Sequence, residues 1–411
     1  MGAALAIVLL GGCASLGPQT LQQSRLEYNE AVKSTTEEQL LLNIVRLRYT
    51  DTPSSMAVSA IAAQFERTHG VGLLPFFTAA GGDVNRSFTA ILPQFQYGSA
   101  DRPTISLTPQ DDNEFTRKLF TPVPLEGIVY LVKTTWPLAT VFRLYLENLN
   151  WIPNAQTASG PTPGEAPEFS DFRRGIEALQ VLQDQGLVVF GMAERWEPVG
   201  PALSAARVSA VDILEAAKAG YDYRPFGQGG TLQLARKVSF PVMRISPTAA
   251  NSPQFAEVRR IFRLKAGLQT YEITQESLTP FPQAYPATGV AVLDLETRSM
   301  LQTLYFISHG VEVPAPHLDQ GLARKTRDAN GQAFDWSQIT GGLFAVRYQA
   351  GDERPKQARV AVPYRGYWFY IDERDQDTKA TFALLVELSR LELGSAKGGM
   401  SPVLTLPIGA R

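Results

Sequence analysis

Three histidines, one cysteine and a run of carboxylates are the side chains best placed by type to act as ligand, nucleophile or acid–base group. His69, His309 and His317 are too few and too scattered for a zinc site on their own, because such sites draw on several ligands at short spacings. His309 falls at the end of an expected helix, where the dipole favours a cation, so capping or packing accounts for it. There is no G-x-S-x-G elbow, no H-E-x-x-H and no Walker loop. Gly227-Gln228-Gly229-Gly230 precedes an expected strand and reads as a turn, not as a phosphate loop. The run Asp372-Glu373-Arg374-Asp375-Gln376-Asp377 fails as a calcium loop, since Asp377 stands where Gly is needed and Ala383 where the closing Glu is needed. Asp375 and Asp377 instead fall at a helix start, where carboxylates favour the free N–H groups. No metal and no cofactor is expected from these residues.

Cys13 has the most specific surroundings. Ala3 to Leu10 is apolar, and Leu10-Gly11-Gly12 leads directly into Cys13. Leu, small, small, Cys resembles the lipobox of bacterial lipoproteins, with small residues where a signal peptidase accepts them. The resemblance implies that residues 1–12 are a signal peptide and that the Cys13 thiol becomes a diacylglycerol thioether. It further implies cleavage before Cys13 and acylation of the new amino group. Several acyl chains at ~0.8 kcal/mol per buried CH₂ make a stable anchor where one is marginal. Met1-Gly2-Ala3-Ala4 carries no basic residue, so the expectation is an internal start with a basic leader upstream. Met1-Gly2 also suggests myristoylation, but Ala6 stands where Ser or Thr is wanted. By resemblance to Gram-negative lipoproteins, Ala14 after the cysteine implies the outer membrane, with the periplasmic side expected over the cell surface. A chain whose one cysteine is consumed by lipid fits an oxidising compartment.

The elements that must position these residues follow from composition and periodicity. The chain has 411 residues, 44% hydrophobic, with 38 basic and 40 acidic side chains. It is too apolar for disorder, and its net charge of −2 provides no field for nucleic acid. Leu125 to Leu149 is the most apolar stretch, but Lys133, Pro137, Arg143 and Glu147 interrupt it short of the ~20 residues a membrane helix needs.

The expected fold is α+β, with mixed or antiparallel sheets and packed helices in two or three subdomains behind a lipidated tether. A tether and polar helix occupy 13–33. An N-terminal α+β domain spans 34–152, opening at Ser34-Thr35-Thr36, where three overlapping capping boxes end in Glu37, Glu38 and Gln39. Strands are expected over Met56 to Arg67, Val71 to Thr78, Ser87 to Gln96 and Thr104 to Leu107, with turns at His69-Gly70, Gly81-Gly82 and Gly98-Ser99. Helices follow over Asp111 to Phe120, Leu125 to Thr135 and Leu138 to Leu149. The Pro- and Gly-rich stretch 153–168 is a linker or a loop.

A middle α+β region covers 169–286, with helices at Asp171 to Gln185, Ala210 to Ala219 and Ser252 to Arg263. Its strands are Leu187 to Phe190, Leu232 to Ile245 and Tyr271 to Thr274. The C-terminal α+β region, 287–411, holds a helix from Leu295 to His309 capped near Asp294. Strands at Leu343 to Tyr348, Val360 to Tyr364 and Tyr367 to Ile371 follow. A helix from Thr378 to Leu393 capped by Asp377 and a closing strand at Val403 to Ile408 end the chain.

Tyr364, Tyr367, Trp368, Phe369 and Tyr370 form the densest aromatic run. Tyr367 and Phe369 point to one face of a strand, Trp368 and Tyr370 to the other. A central strand buried on both faces explains the run. A partner or glycan surface using Tyr364, Tyr367, Trp368 and Tyr370 is the sharper alternative.

Three segments together carry a family resemblance. Tyr28-Asn29-Glu30-Ala31 leads into Leu40-Leu41-Leu42-Asn43-Ile44-Val45-Arg46-Leu47-Arg48-Tyr49 and Asp51-Thr52-Pro53. Pro103-Thr104-Ile105 is followed by Leu119-Phe120-Thr121-Pro122-Val123-Pro124-Leu125, and Tyr367-Trp368-Phe369-Tyr370-Ile371-Asp372 by Lys379-Ala380-Thr381-Phe382. This pattern resembles a family of mainly proteobacterial lipoproteins without an assigned activity, over 28–150 and 290–408. The resemblance implies a location and no mechanism. The expected function is a non-catalytic structural or assembly component of an envelope complex, with protein partners and no nucleic acid. Two alternatives stay open: an envelope hydrolase using carboxylates such as Asp372 and Asp375, and a lipoprotein that binds a hydrophobic ligand.

Overall fold

The computed structural model describes residues 16–54, 56–62, 65–77, 89–101, 104–109, 113–134, 136–227, 229–281, 284–393 and 404–407. Contacts divide the chain into two compact units, one of residues 1–39, 54–116 and 395–411, the other of 40–53 and 117–394. The boundaries expected at 152, 168 and 286 fall inside the second unit.

Helix α1 (Leu16–Arg48) is one unbroken element. The helix start expected at Ser34-Thr35-Thr36 is absent: the helix runs through it, and the two threonine hydroxyls bond backward. Thr35 Oγ1 donates to the Ala31 carbonyl (2.8 Å) and Thr36 Oγ1 to the Val32 carbonyl (2.7 Å), the mid-helix alternative to capping. At its other end the Asp51 N–H reaches the Arg46 carbonyl (2.9 Å) and the Thr50 N–H the Leu47 carbonyl (3.0 Å). With Thr50 at φ 60°, this is a Schellman ending.

In the first unit, β1 (Met56–Ala62) and β4 (Thr104–Pro109) pair antiparallel, and β15 (Leu404–Pro407) adds to β4. Strands β2 (Phe65–Phe77) and β3 (Thr89–Asp101) form a separate ribbon, from Phe65 opposite Asp101 to Phe77 opposite Thr89. The turns expected at His69-Gly70 and Gly98-Ser99 are therefore corrected to strand interior. A two-stranded ribbon has a free edge on each strand and tolerates Gly and Pro there. Gly81-Gly82 lies outside the described residues.

The second unit begins its helical layer with the end of α2 (Asn113–Phe120), then α3 (Leu125–Lys133) and α4 (Leu138–Tyr145). The helix expected to run on to Leu149 stops at Tyr145. Leu146–Leu149 is strand β5, recruited by pairing of Leu149 with Leu295 and Leu146 with Thr297. Next come β6 (Ile152–Pro153), α5 (Ser170–Asp184), β7 (Val188–Ser204), α6 (Ala210–Lys218), β8 (Tyr221–Pro225), β9 (Thr231–Ile245), α7 (Pro253–Phe262), β10 (Thr270–Gln275) and β11 (Val292–Thr297). The sheet order is β6-β5-β11-β10-β9-β7, with β8 also on β9 and only β10 and β11 parallel within it. The Ser252 cap is as expected, its hydroxyl accepting from the Phe255 N–H (3.1 Å).

Helix α8 (Met300–Ser308) starts later than expected. Ser299 and Gln302 make its capping box, while Asp294 and Leu295 belong to β11. The chain continues through α9 (Ala315–Asp319), α10 (Ser337–Thr340), β12 (Arg347–Ala350), β13 (Ala358–Tyr364), β14 (Tyr367–Asp372) and α11 (Gln376–Leu393). Strand β14 is central in a three-stranded antiparallel sheet, β12-β14-β13. The architecture is α+β with mixed and antiparallel sheets.

The core of the second unit joins Ile128, Phe142, Phe172, Leu179, Phe262, Leu293, Leu295 and Phe306 between helices and the larger sheet. Of the two readings of 153–168, the structure is the loop. Ala155, Ala158, Ser159 and Thr162 are buried, and Asn154 Nδ2 donates to the Leu146 carbonyl (2.7 Å).

Candidate functional site

The four aromatic residues do not form one surface. Tyr364 and Tyr367 sit opposite each other where β13 turns into β14. They gather with Tyr49, at the end of α1, and His317, in α9. Ring centroids lie 5.2 Å apart for Tyr49 and Tyr364 and 4.9 Å for His317 and Tyr367. Trp368 faces the other side, as does Tyr370, which is buried and accepts a bond from Gln357 Nε2 (3.0 Å). Cys13, Leu10, Gly11 and Gly12 lie outside the described residues.

The turn between β13 and β14 gives this cluster its polar edge. Arg365 and Gly366 both have positive φ, 47° and 82°, the requirement of a two-residue type I′ hairpin. That geometry holds Arg365 against Asp51. Its Nη2 donates to Asp51 Oδ2 (3.0 Å), its Nε donates to the Tyr364 hydroxyl (3.1 Å), and the Tyr364 hydroxyl donates to Asp51. The Tyr364 hydrogen bond, opposed in part by burial and joined by Arg365, holds the Asp51 carboxyl below its ordinary value.

Behind that edge, the Tyr49 hydroxyl lies 2.7 Å from His317 Nδ1. Burial pushes the Tyr49 phenol up, so it remains a donor and His317 Nδ1 the acceptor. Burial also lowers His317, which is therefore neutral at pH 7. Tyr49, His317, Tyr364, Arg365 and Asp51 are engaged with one another in closing the end of α1 onto the hairpin. The arrangement positions elements.

Sequence reading missed a second polar cluster, deeper in the unit. Arg298 is fully buried, at 0% exposure. Its Nε donates to Ser159 Oγ (2.9 Å), its Nη1 to the Arg143 and Leu144 carbonyls (3.0 and 3.1 Å) and its Nη2 to the Asn154 carbonyl. The guanidinium lies 3.9 Å from the Phe306 ring centroid. Burial pulls Arg298 down to about 9, still cationic at neutral pH. Arg48 reaches the same loop, donating to Thr162 Oγ1 (3.0 Å). His309 stacks on Trp336 (4.1 Å) and its Nε2 lies 3.1 Å from the Ala158 carbonyl. These groups bind the 154–162 loop through carbonyls and hydroxyls, which is how a buried cation without an acidic partner is tolerated. The helix-end packing expected for His309 is its environment.

The acidic run also resolves into structure. Asp375, not Asp377, caps α11: Oδ1 accepts the Thr378 N–H (3.0 Å) and Oδ2 the Thr378 hydroxyl (2.7 Å). Asp372 accepts the Arg374 N–H (2.9 Å) and pairs with Arg347 (3.7 Å). Among the described residues, no group of three His, Cys, Asp or Glu could hold a metal ion.

The largest departure from expectation is the length of β7. Pairing with β9 runs from Val188 opposite Ile245 to Ser204 opposite Thr231, where only Leu187 to Phe190 is expected as strand. From Gly191 to Ser204 no residue of β7 is buried. Helix α6 follows, held by a Ser209–Asp212 capping box and with no buried residue. Val211 is 67% exposed, Leu214 57% and Phe226 52%; Val189, Met192, Trp196, Val199 and Ile213 are exposed as well. Gly191, Pro198, Gly200 and Pro201 disguise this arm as loop, and a strand unburied on both faces lacks the alternation that reveals strands.

Set against protein-family models, curated proteins and solved structures, the chain matches none.

Proposed function

We propose that this chain is an outer-membrane lipoprotein, anchored through Cys13 and facing the periplasm, that acts as a non-catalytic assembly component of an envelope complex. The anchor rests on Leu10-Gly11-Gly12-Cys13 and on the family resemblance. The assembly role rests on one observation, the apolar side chains that the arm of β7, α6, β8 and β9 holds in solvent. Exposed apolar side chains gathered on one arm favour an interaction site, since covering them returns roughly 25 cal/mol per Å². Several of the arm's charges are already paired: Glu194 with Lys237 (2.5 Å), Arg195 with Glu197 (3.0 Å) and with Glu272 of β10 (2.8 Å), Lys218 with Glu215 (2.8 Å). Recognition there goes by shape and apolar contact, not by net charge.

Fractionation and pull-down test both halves. Cys13→Ala should release the chain from membranes and abolish fatty-acid labelling. Ile213→Asp with Leu214→Asp should leave the melting temperature unchanged and abolish co-purification of envelope protein from detergent extracts. A chain that stays in membranes without label overturns the anchor, and an arm variant that keeps its partners overturns the assembly role.

A further inference from the structure

Strand β7 is the last strand of its sheet, and among the described residues no strand pairs with its outer edge. An unpaired edge presents a row of N–H and C=O groups, a template for another strand. Pro198 and Pro201 offer no N–H, and the register shifts between Pro198 and Ala202, so the edge is straight up to Pro198. Along it Val189, Met192 and Trp196 are exposed. Resting on the reading of this chain as an assembly component, we propose that β7 pairs antiparallel with β7 of a second copy of this chain, about a two-fold axis at Trp196.

The choice of occupant comes from charge. Antiparallel pairing about a dyad places each residue opposite the one equally far beyond the axis. Centred on Glu194, Arg195 or Glu197, a like charge faces itself. Centred on Ala193, Arg195 faces Gly191 and Glu194 faces Met192, so both charges meet uncharged residues. Centred on Trp196, Arg195 faces Glu197 of the second copy and Glu197 faces its Arg195, while the two indoles meet between them. Opposite charges directly across a strand pair stabilise it, and like charges destabilise it. Arg195 and Glu197 share one face of the strand, 3.0 Å apart, with side chains 45% and 31% exposed; Arg195 also reaches Glu272 of β10 (2.8 Å), so pairing across the dyad turns this exposed guanidinium from β10 toward the second copy. A lipid headgroup or a polyanion would need an unbalanced field, and Glu194, Glu197 and Glu272 already neutralise Arg195, Arg236 and Lys237.

Cysteine cross-linking of the full chain in its membrane tests the register. Opposed Cα atoms at the axis lie about 4.5–5.5 Å apart, within disulfide range. Trp196→Cys should give a dimer that reduction dissolves, at least tenfold more than Met192→Cys, whose mate lies about 27 Å along the paired strands. On the Trp196→Cys background, Glu197→Arg should abolish the dimer, and adding Arg195→Glu should restore it. Equal cross-linking of the Trp196→Cys and Met192→Cys variants, or a double swap that fails to restore, overturns the proposal. A cross-link in the unsubstituted chain would instead report a free Cys13 thiol. That result sinks the lipid anchor alone, and the same comparison on a Cys13→Ser background still decides the edge.

Discussion

The Tyr49 hydroxyl and His317 Nδ1 lie 2.7 Å apart although 268 residues separate them in the chain. This contact ties the end of α1 to α9 beneath the β13–β14 hairpin. Tyr49→Phe removes the donor and leaves a buried imidazole nitrogen unpaired, which costs about 1–3 kcal/mol. Urea denaturation should show the midpoint falling with an unchanged slope. Tyr364→Phe, at the half-exposed edge of the same cluster, should cost less, because solvent can replace its bond to Asp51. Equal losses would contradict the assignment of Tyr49 as the buried member.

His309 makes stability depend on pH. Burial, with Arg48 and Arg298 nearby, pushes it down from 6.5 to about 3. Below pH 6.5 the unfolded chain takes up a proton that the folded chain refuses until about pH 3. Stability therefore falls as pH drops through that window, by up to about 1.4 kcal/mol per pH unit, and is flat above it. His317, also lowered by burial, acts in the same direction. His309→Gln retains a donor for the Ala158 carbonyl and removes the titration. Its denaturation midpoint between pH 4.5 and 7 should vary less with pH than the parent's.

Arg298 should be the costliest single side chain to lose. Arg298→Met fills much of the volume but orphans the Arg143, Leu144 and Asn154 carbonyls and Ser159 Oγ. Several unsatisfied buried acceptors together cost about 3 kcal/mol or more. Arg298→Lys should rescue little, because one ammonium cannot span the fork that reaches α4 on one side and the loop on the other. Hydrogen exchange should locate the damage in residues 154–162 in both variants. A uniform loss of protection across the unit would argue against a local strut.

These two clusters show what a single sequence conceals. Ser252 is legible as a cap because Ser-Pro opens its helix locally, and β14 is legible as a central strand because aromatic residues run through it on both faces. Ser34 to Thr36 offers the same local capping signal and is mid-helix, since back-bonding hydroxyls leave no distinct pattern. Arg298 resembles any surface arginine until the carbonyls that surround it are brought from 143–154. His317 resembles a stray histidine until Tyr49 arrives. The arm escapes for the opposite reason: with few buried residues, β7 leaves no periodic trace of a core.

Gly175 tests the helix layer that the periodicity of α5 does reveal. A Cβ at Gly175 would lie 2.5 Å from Phe262 Cε2 and Cζ and 3.2 Å from Ile261 Cγ2. Phe262 ends α7 and is itself wedged edge-on against Phe172, 6.3 Å between centroids, so the ring has no room to retreat. Gly175→Ala improves helix propensity by about 1 kcal/mol, which would stabilise an exposed site. Overpacking of a closed core costs about 1–3 kcal/mol and opposes it. The clash should prevail, lowering the melting temperature by a few degrees, because neither ring nor helix backbone can shift without disturbing the other. Adding Phe262→Leu should recover much of that loss relative to Phe262→Leu alone, since the ring carbons that meet the new methyl are gone. If Gly175→Ala proves stabilising in the parent, α5 and α7 are not packed as closely as their facing side chains require.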